Sequence, residues 1–472
     1  MSVPHARPRA PAHPRRTTPR RRRLLAAGLM AILPLIGAII LGGLSYYHDR
    51  TGSIDHPGGV FIAQAAPTLP KGAAQVDWPV YGYSKDHARF FPAPPSLRPP
   101  FRTAWTTSEH GLLEFPPVIA SGRIFQLNDR GVLTAINADT GEVVWRRRVG
   151  DQAASTPAVE GETVLATVLK RNTNTLGGRV VALSWSTGQL LWQRDLPAPS
   201  ESSPMVDDGE VFFGSQDGTV YALRTQTGEL IWTYHAAGAV KASPTLVDGR
   251  LIFGDYAGRV QAISEATGRP LWIAQTHGTL FGSGTFYSTA AVDYGRVFLG
   301  NTDGRVYAFD EHSGRLDWAH QTGAYVYSAP AVTNAPGLGP TVFVGSYDGH
   351  VYALSARTGA ERWSYDAGGR ISGGITVVGR IAYFADLAAH RTIGLGISTG
   401  RRVFSIGQGS FDPIISDGRD LFLSGAFRLS ALAPRSTPSR KPQNARPTAH
   451  PTIFAMDRRR CPAKPLTSSC GP

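Results

Sequence analysis

Cysteine is nearly missing from these 472 residues: there are two, Cys461 and Cys470, both close to the C-terminal end. Neither can staple the body of the chain, and no zinc, iron–sulfur or catalytic thiol set can be assembled from them. A local disulfide between the two stays open if that end meets an oxidising compartment. Lysine is scarce as well, 6 against 42 arginines, the bias of a GC-rich coding sequence. Positive charge is absent where a nucleic-acid footprint would need it. The formal charge is +13, but residues 1–23 hold +8 and the stretch from 434 onward +7, which leaves −2 for 24–433. A body without a basic face argues against nucleic acid as a partner. Helical periodicity is also lacking between about 100 and 433, which points to an all-β body.

Long uncharged runs are absent except for one. Residues 24–44 carry no charge and are mostly Leu, Ile, Ala and Gly, enough at about 1.5 Å rise per residue to span about 30 Å of hydrocarbon. The arginines before it belong on the cytoplasmic side by the positive-inside rule, so a single-pass anchor over 24–47 places the rest outside the cytoplasmic membrane. A cleaved signal is the rival reading, but the Ala-x-Ala-like site at Ala63–Ala65 lies far downstream of Leu44. The run Arg21, Arg22, Arg23, Leu24, Leu25 also resembles a twin-arginine export signal. The expected organisation is a basic stub (1–23), the anchor (24–47), a linker (48–77), the folded body (78–434) and a basic, Pro/Ser/Thr-rich tail (435–472).

What recurs in the body is a unit ending in Thr-Gly-x-x-x-Trp. Its aromatic anchors are Trp145, Trp192, Trp232, Trp272, Trp318 and Trp363, with Phe404 in a seventh copy, spaced 40 to 47 residues apart. That is the period of a four-stranded propeller blade. A second glycine precedes six of the seven turn glycines by ten positions, at Gly131, Gly178, Gly218, Gly258, Gly304 and Gly349, often as Asp-Gly, the signature of a tight hairpin. Three-strand sets begin near Phe115, Ser155, Ser202, Ser243, Ser288, Ser328, Ile371 and Phe411, one more than the outer strands can complete. Phe101–Trp105 is an orphan strand ahead of the first set. Joining it to the last closes an eight-bladed ring and leaves no exposed edge there.

The regular tryptophans, with Trp105 as the orphan's counterpart, read as packing devices between blades, over a small Ala and a turn Gly. Each buries about 150–250 Å² of aromatic surface, worth about 4–6 kcal/mol before entropy.

The unit Ala222, Thr227, Gly228, Trp232 resembles the PQQ repeat, the tryptophan-docking motif of quinoprotein alcohol dehydrogenases and of BamB-like assembly lipoproteins. The resemblance covers roughly 100–433 and implies an eight-bladed propeller. It implies little about function, because catalytic members bind PQQ at the centre with a Ca²⁺ held by Glu, Asn and Asp, an aspartate base and often a vicinal cysteine pair. No residue of that set carries over; Glu114, Asp255 and Asp386 are acids without a motif around them. Assembly factors of the BamB type are lipidated on an N-terminal cysteine, which the 24–47 segment lacks.

The expectation is therefore a monomeric, non-catalytic scaffold with no cofactor, docking an envelope protein or peptide. A PQQ- and Ca²⁺-dependent oxidoreductase and a sensor of a small ligand are the alternatives. Insertions in a regular repeat mark the candidate docking face. The stretches 170–177 and 275–287 emerge on one face and 334–340 on the other. Phe281, Phe286 and Tyr287 either present themselves to a partner there or plug the central channel.

Overall fold

The third strand of each repeat is apolar on both of its faces. In Thr219–Arg224 every residue but the last is buried, whereas in the next strand, Leu230–His235, none is. A strand buried on both sides needs a sheet against each face, and this arrangement supplies it by stacking blade on blade. The computed structural model describes residues 54–55, 61–63, 76–171, 176–276, 283–409, 411 and 414–435. The chain separates into two units, Met1–Arg435 and Ser436–Pro472, and everything described belongs to the first. The stub at 1–23, the segment 24–47, most of 48–77, and the tail with Cys461 and Cys470 lie outside the described residues. Among the described residues no helix is long and apolar enough to cross a membrane.

Eight antiparallel four-stranded sheets follow one another, spanning 118–148, 158–196, 205–235, 245–275, 291–321, 331–366, 376–406 and 414–434, numbered here as blades one to eight. Blade eight supplies only three strands of its own. Its outer strand is Phe101–Ser108, paired from Phe101 with Pro434 to Ser108 with Arg428, so the two ends of the body are sewn together. Two blades carry an extra short strand. Ile54–Asp55, from the stretch expected as a linker, lies on the outer edge of blade five, and Phe90–Phe91 runs parallel to the inner strand of blade seven.

The tryptophans act across blades. Trp105, Trp145, Trp192, Trp232, Trp272, Trp318 and Trp363 lie on Gly141, Gly188, Gly228, Gly268, Gly314, Gly359 and Gly400, in each case the turn glycine of the following blade. A Cβ there would sit 2.4–2.8 Å from the indole, and φ at these glycines is +64° to +74°, so no other residue fits without strain. Every indole N–H donates to the first backbone carbonyl past the third strand of that following blade, at 2.8–3.1 Å. Within its own blade Trp232 pairs with Ala222, and the register slips by one immediately afterwards. The same bulge recurs in the other blades and re-aims the fourth strand. Gly178 departs from its repeat counterparts: the blade-two hairpin is longer, so this residue lies inside the strand Leu176–Ser184 rather than at its turn.

Candidate functional site

At the centre of the ring the inner strands leave an axial channel, and one end of it is closed by a segment that no repeat motif announces. Residues 76–91 wind around the channel and bond to the innermost strands nearly in ring order. Val76 N–H donates to Asp417 O of blade eight, and Trp78 exchanges two bonds with Ile119 of blade one. Pro79 O accepts from Val159 of blade two, and the Lys85 ammonium pairs with Asp207 of blade three. Lys85, Asp86, Ala88 and Arg89 carbonyls then accept from Leu246, Val292, Val332 and Val377 of blades four to seven. We call this segment the strap.

The strap is held by its side chains as much as by its backbone. Trp78, Val80, Phe91, His87 and Arg89 are all at most 2% exposed. Arg89 Nε donates to Ile375 O at 2.7 Å, and its guanidinium stacks 4.6 Å from the Tyr81 ring centre. His87 Nδ1 lies 3.0 Å from Thr245 Oγ1; burial, and then the neighbouring Arg89 charge, push its pKa down to about 3, so the ring is neutral. Burial penalises the charged imidazolium, and the neighbouring Arg89 repels it further.

Next to the strap the channel holds a cup of about 280 Å³ whose lining includes Tyr81. Its wall comes from the links that enter each inner strand. Serines in these links tie neighbour to neighbour: Ser202 Oγ donates to Ala242 O, Ser243 Oγ to Ser203 O and Ser288 Oγ to Ser328 O, at 2.8–3.0 Å. The residues just before three of those positions, Glu201, Tyr287 and Tyr327, thereby line the cup. Tyr347, two positions before the hairpin glycine of blade six, joins them, and Tyr256, its blade-four counterpart, packs against Tyr287. The rings form a chain, with Tyr256–Tyr287, Tyr287–Tyr327 and Tyr327–Tyr347 centres 6.4, 5.6 and 4.9 Å apart.

Charge in the cup is mixed and leans acidic. Lys241 Nζ sits 3.0 Å from Glu201 Oε1 and 5.3 Å from the Tyr256 ring centre, and the Gln216 amide also donates to Glu201. Glu114 lines the same cavity, and its carboxyl is raised above the ordinary range by burial first, then by Asp129 and Glu201. Burial likewise raises the Tyr287 and Tyr256 hydroxyls, which stay protonated at any physiological pH.

The residues singled out from sequence separate here. Tyr287 lines the cup. Phe286, expected in a partner-facing loop, is wholly buried between blades four and five: its ring fills the space left by Gly254 and meets Tyr307 at 6.0 Å. It is a core residue and offers nothing to a partner. Phe281 lies outside the described residues. Of the scattered acids, Glu114 reaches the cup, whereas Asp255 is fully buried under its own turn, accepting from Ala257 and Arg259 N–H and the Gln261 amide. Asp386 caps a turn through Ala388 and Ala389. Tyr256, Tyr327, Tyr347, Glu201, Lys241 and the strap were not anticipated. Aligning the repeat units was the available signal: the position before the link serine and the second position before the hairpin glycine vary from blade to blade, while the serine and the glycine recur.

The quinone and Ca²⁺ that the resemblance raises do not fit this cup. PQQ is a tricarboxylate, and it would meet Glu114 and Glu201 with Lys241 already paired to one of them. Calcium takes several oxygen ligands at once, and among the described residues no three His, Cys, Asp or Glu side chains come close enough to share an ion.

Comparison with known proteins finds relatives of this fold. Residues 101–177, 176–331 and 327–427 match the family described as outer membrane protein assembly factor BamB. Among solved structures, BamB from Moraxella catarrhalis is 18% identical, with a TM-score of 0.58 over 71% of this chain and 100% of that one. A europium-containing methanol dehydrogenase is 12% identical, with 0.63 over 76% and 98%. The quinohemoprotein alcohol dehydrogenase from Comamonas testosteroni is 14% identical, with 0.61 over 77% and 81%. At these identities the likeness concerns the fold alone. No curated protein sequence matches.

Proposed function

The chain belongs to the family described as outer membrane protein assembly factor BamB, and from that premise we propose that it is a non-catalytic scaffold, anchored in the cytoplasmic membrane by residues 24–47 with the propeller on the extracytoplasmic side. The partner is an envelope protein or peptide. One observation carries the reading: among the described residues, tyrosines collect around the axial cavity, while the strap lies across the inner strands. Tyr325, 53% exposed, stands at the rim against Tyr327, and Tyr287 and Tyr347 continue inward. Large aromatics with a polar tip, grouped at a concave centre, are the usual composition of a binding hot spot.

Two measurements test the proposal. Carbonate extraction of membranes leaves the intact chain in the pellet and releases a chain lacking 24–47. A photo-crosslinking amino acid placed at Tyr325, in cells that naturally make the protein, captures a defined envelope polypeptide, and the same probe at Asp208 on the strap side captures none. Equal capture from both faces, or none from either, removes the scaffold reading.

A further inference from the structure

The cup has more negative charge on its wall than it neutralises. Glu201 is matched by Lys241, but among the described residues no donor is bonded to the Glu114 carboxylate, and Asp129, whose Oδ1 accepts from Leu112 N–H, adds its field from behind. A half-buried carboxyl with no bonded donor either holds a proton or keeps its charge beside a cation, and a cation in the cup would favour the charged form. The walls say which kind. Among the described residues no three His, Cys, Asp or Glu side chains gather closely enough to hold a bare metal ion. They are interleaved with tyrosine rings whose negative faces attract weakly hydrated, spread-out positive charge, and Lys241 already exploits one such ring at Tyr256.

We infer that the cup binds an organic cation, an alkylammonium or guanidinium group, seated among Tyr287, Tyr327 and Tyr347 with Glu114 as its counter-ion. Tyr81 of the strap contributes to the same lining. Such a group comes either from a free small molecule or from a lysine or arginine side chain of a docked polypeptide. The site stands on the cavity and not on the scaffold reading, and the two can fail separately.

The test is calorimetric titration of the full-length chain in detergent with three probes: choline, its neutral carbon isostere 3,3-dimethylbutanol, and N-acetyl-lysinamide. At least one cation binds, and the neutral isostere binds roughly tenfold or more weakly, the range expected of a desolvated cation over aromatic faces. Glu114→Gln, which removes the charge at a side chain holding nothing else in place, weakens the cation by a similar factor and melts like wild type. Tyr327→Leu does the same to binding from the aromatic side. Preference for choline identifies a free ligand, and preference for N-acetyl-lysinamide a polypeptide side chain. The inference is overturned if neither cation binds at millimolar concentration, if the isostere matches choline, or if Glu114→Gln leaves the affinity unchanged.

Discussion

The ring of Phe404 meets that of Phe101 edge to face, 5.6 Å between centres, at the seam between blades seven and eight. Every other blade places a tryptophan at this position, and each indole donates to a carbonyl in the turn between the third and fourth strands of the following blade. Blade eight has no such turn, because its third strand ends at Pro434 and its fourth is the distant Phe101–Ser108. The departure from the repeat at Phe404 thus follows from the closure: an indole N–H there would be left without its acceptor. Phe404→Trp is expected to destabilise by about 1–3 kcal/mol, from an unsatisfied donor and added volume. Trp363→Phe, which strips the bond to Ile397 O and shrinks the ring lying on Gly400, costs about 1–3 kcal/mol. Thermal melts of the two variants read both signs.

Trp232 lies on Gly268, and deleting the indole empties a space that neither blade can refill. Trp232→Ala should cost about 3–5 kcal/mol in a urea or thermal melt. An unshifted midpoint would show that the indole is not a packing device.

Gly268 and Gly249 separate backbone from contact. Both have positive φ, +66° and +71°, but a Cβ at Gly268 lands 2.6 Å from the Trp232 ring, while at Gly249 the nearest atom is 4.0 Å away. Gly249→Ala carries only the left-handed backbone penalty of about 1–2 kcal/mol. Gly268→Ala should cost about 1–3 kcal/mol more than that. Equal costs in parallel melts would contradict the ring-on-glycine contact.

Asp293 sits where the strap crosses blade five. Its pKa is raised to about 7, by burial first and then by Asp86 of the strap and Glu311, against the bond it accepts from Tyr294 N–H. An acid raised in the folded state is bound to its proton more tightly there than in the unfolded chain. Its contribution is therefore whole below about pH 4 and is lost as pH climbs through about 7. Asp293→Asn keeps the acceptor and removes the titration. It should melt higher than wild type at pH 8, by on the order of 1–2 kcal/mol after solvent screening, and show no gain near pH 4. A gain independent of pH would point to a cause other than this proton.

The ring was legible in the residues because it is written many times. Thr-Gly-x-x-x-Trp marks each outer strand, and the surplus inner set at 411–432 together with the orphan Phe101–Trp105 is enough to infer the closure. The strap was not legible, since it occurs once and borrows its hydrogen bonds from blades about 40 to 340 residues away; only its density of aromatics, from Trp78 to Phe91, hinted that it is buried. The loop aromatics show the same limit at finer scale. Phe286 and Tyr287 are adjacent, yet extended backbone sends one into the space over Gly254 and the other to the cup, and no local pattern says which is which. The cup itself is made of residues at repeat-variable positions, whose meaning appears only when the blades are brought around one axis.

The central structural claim is that the body's first strand completes its last blade, and Thr106 and Ser430, cross-strand partners with hydroxyls 3.0 Å apart, report on it directly. In a chain carrying Cys461→Ser and Cys470→Ser, the double variant Thr106→Cys/Ser430→Cys should oxidise to a single monomeric species that runs faster on a non-reducing gel and melts higher than its reduced form. Moving the second cysteine to Ser364, on the outer strand of blade six, should abolish the crosslink. Failure of the first pair to close, or equal closure of both, would contradict a ring sealed by Phe101–Ser108.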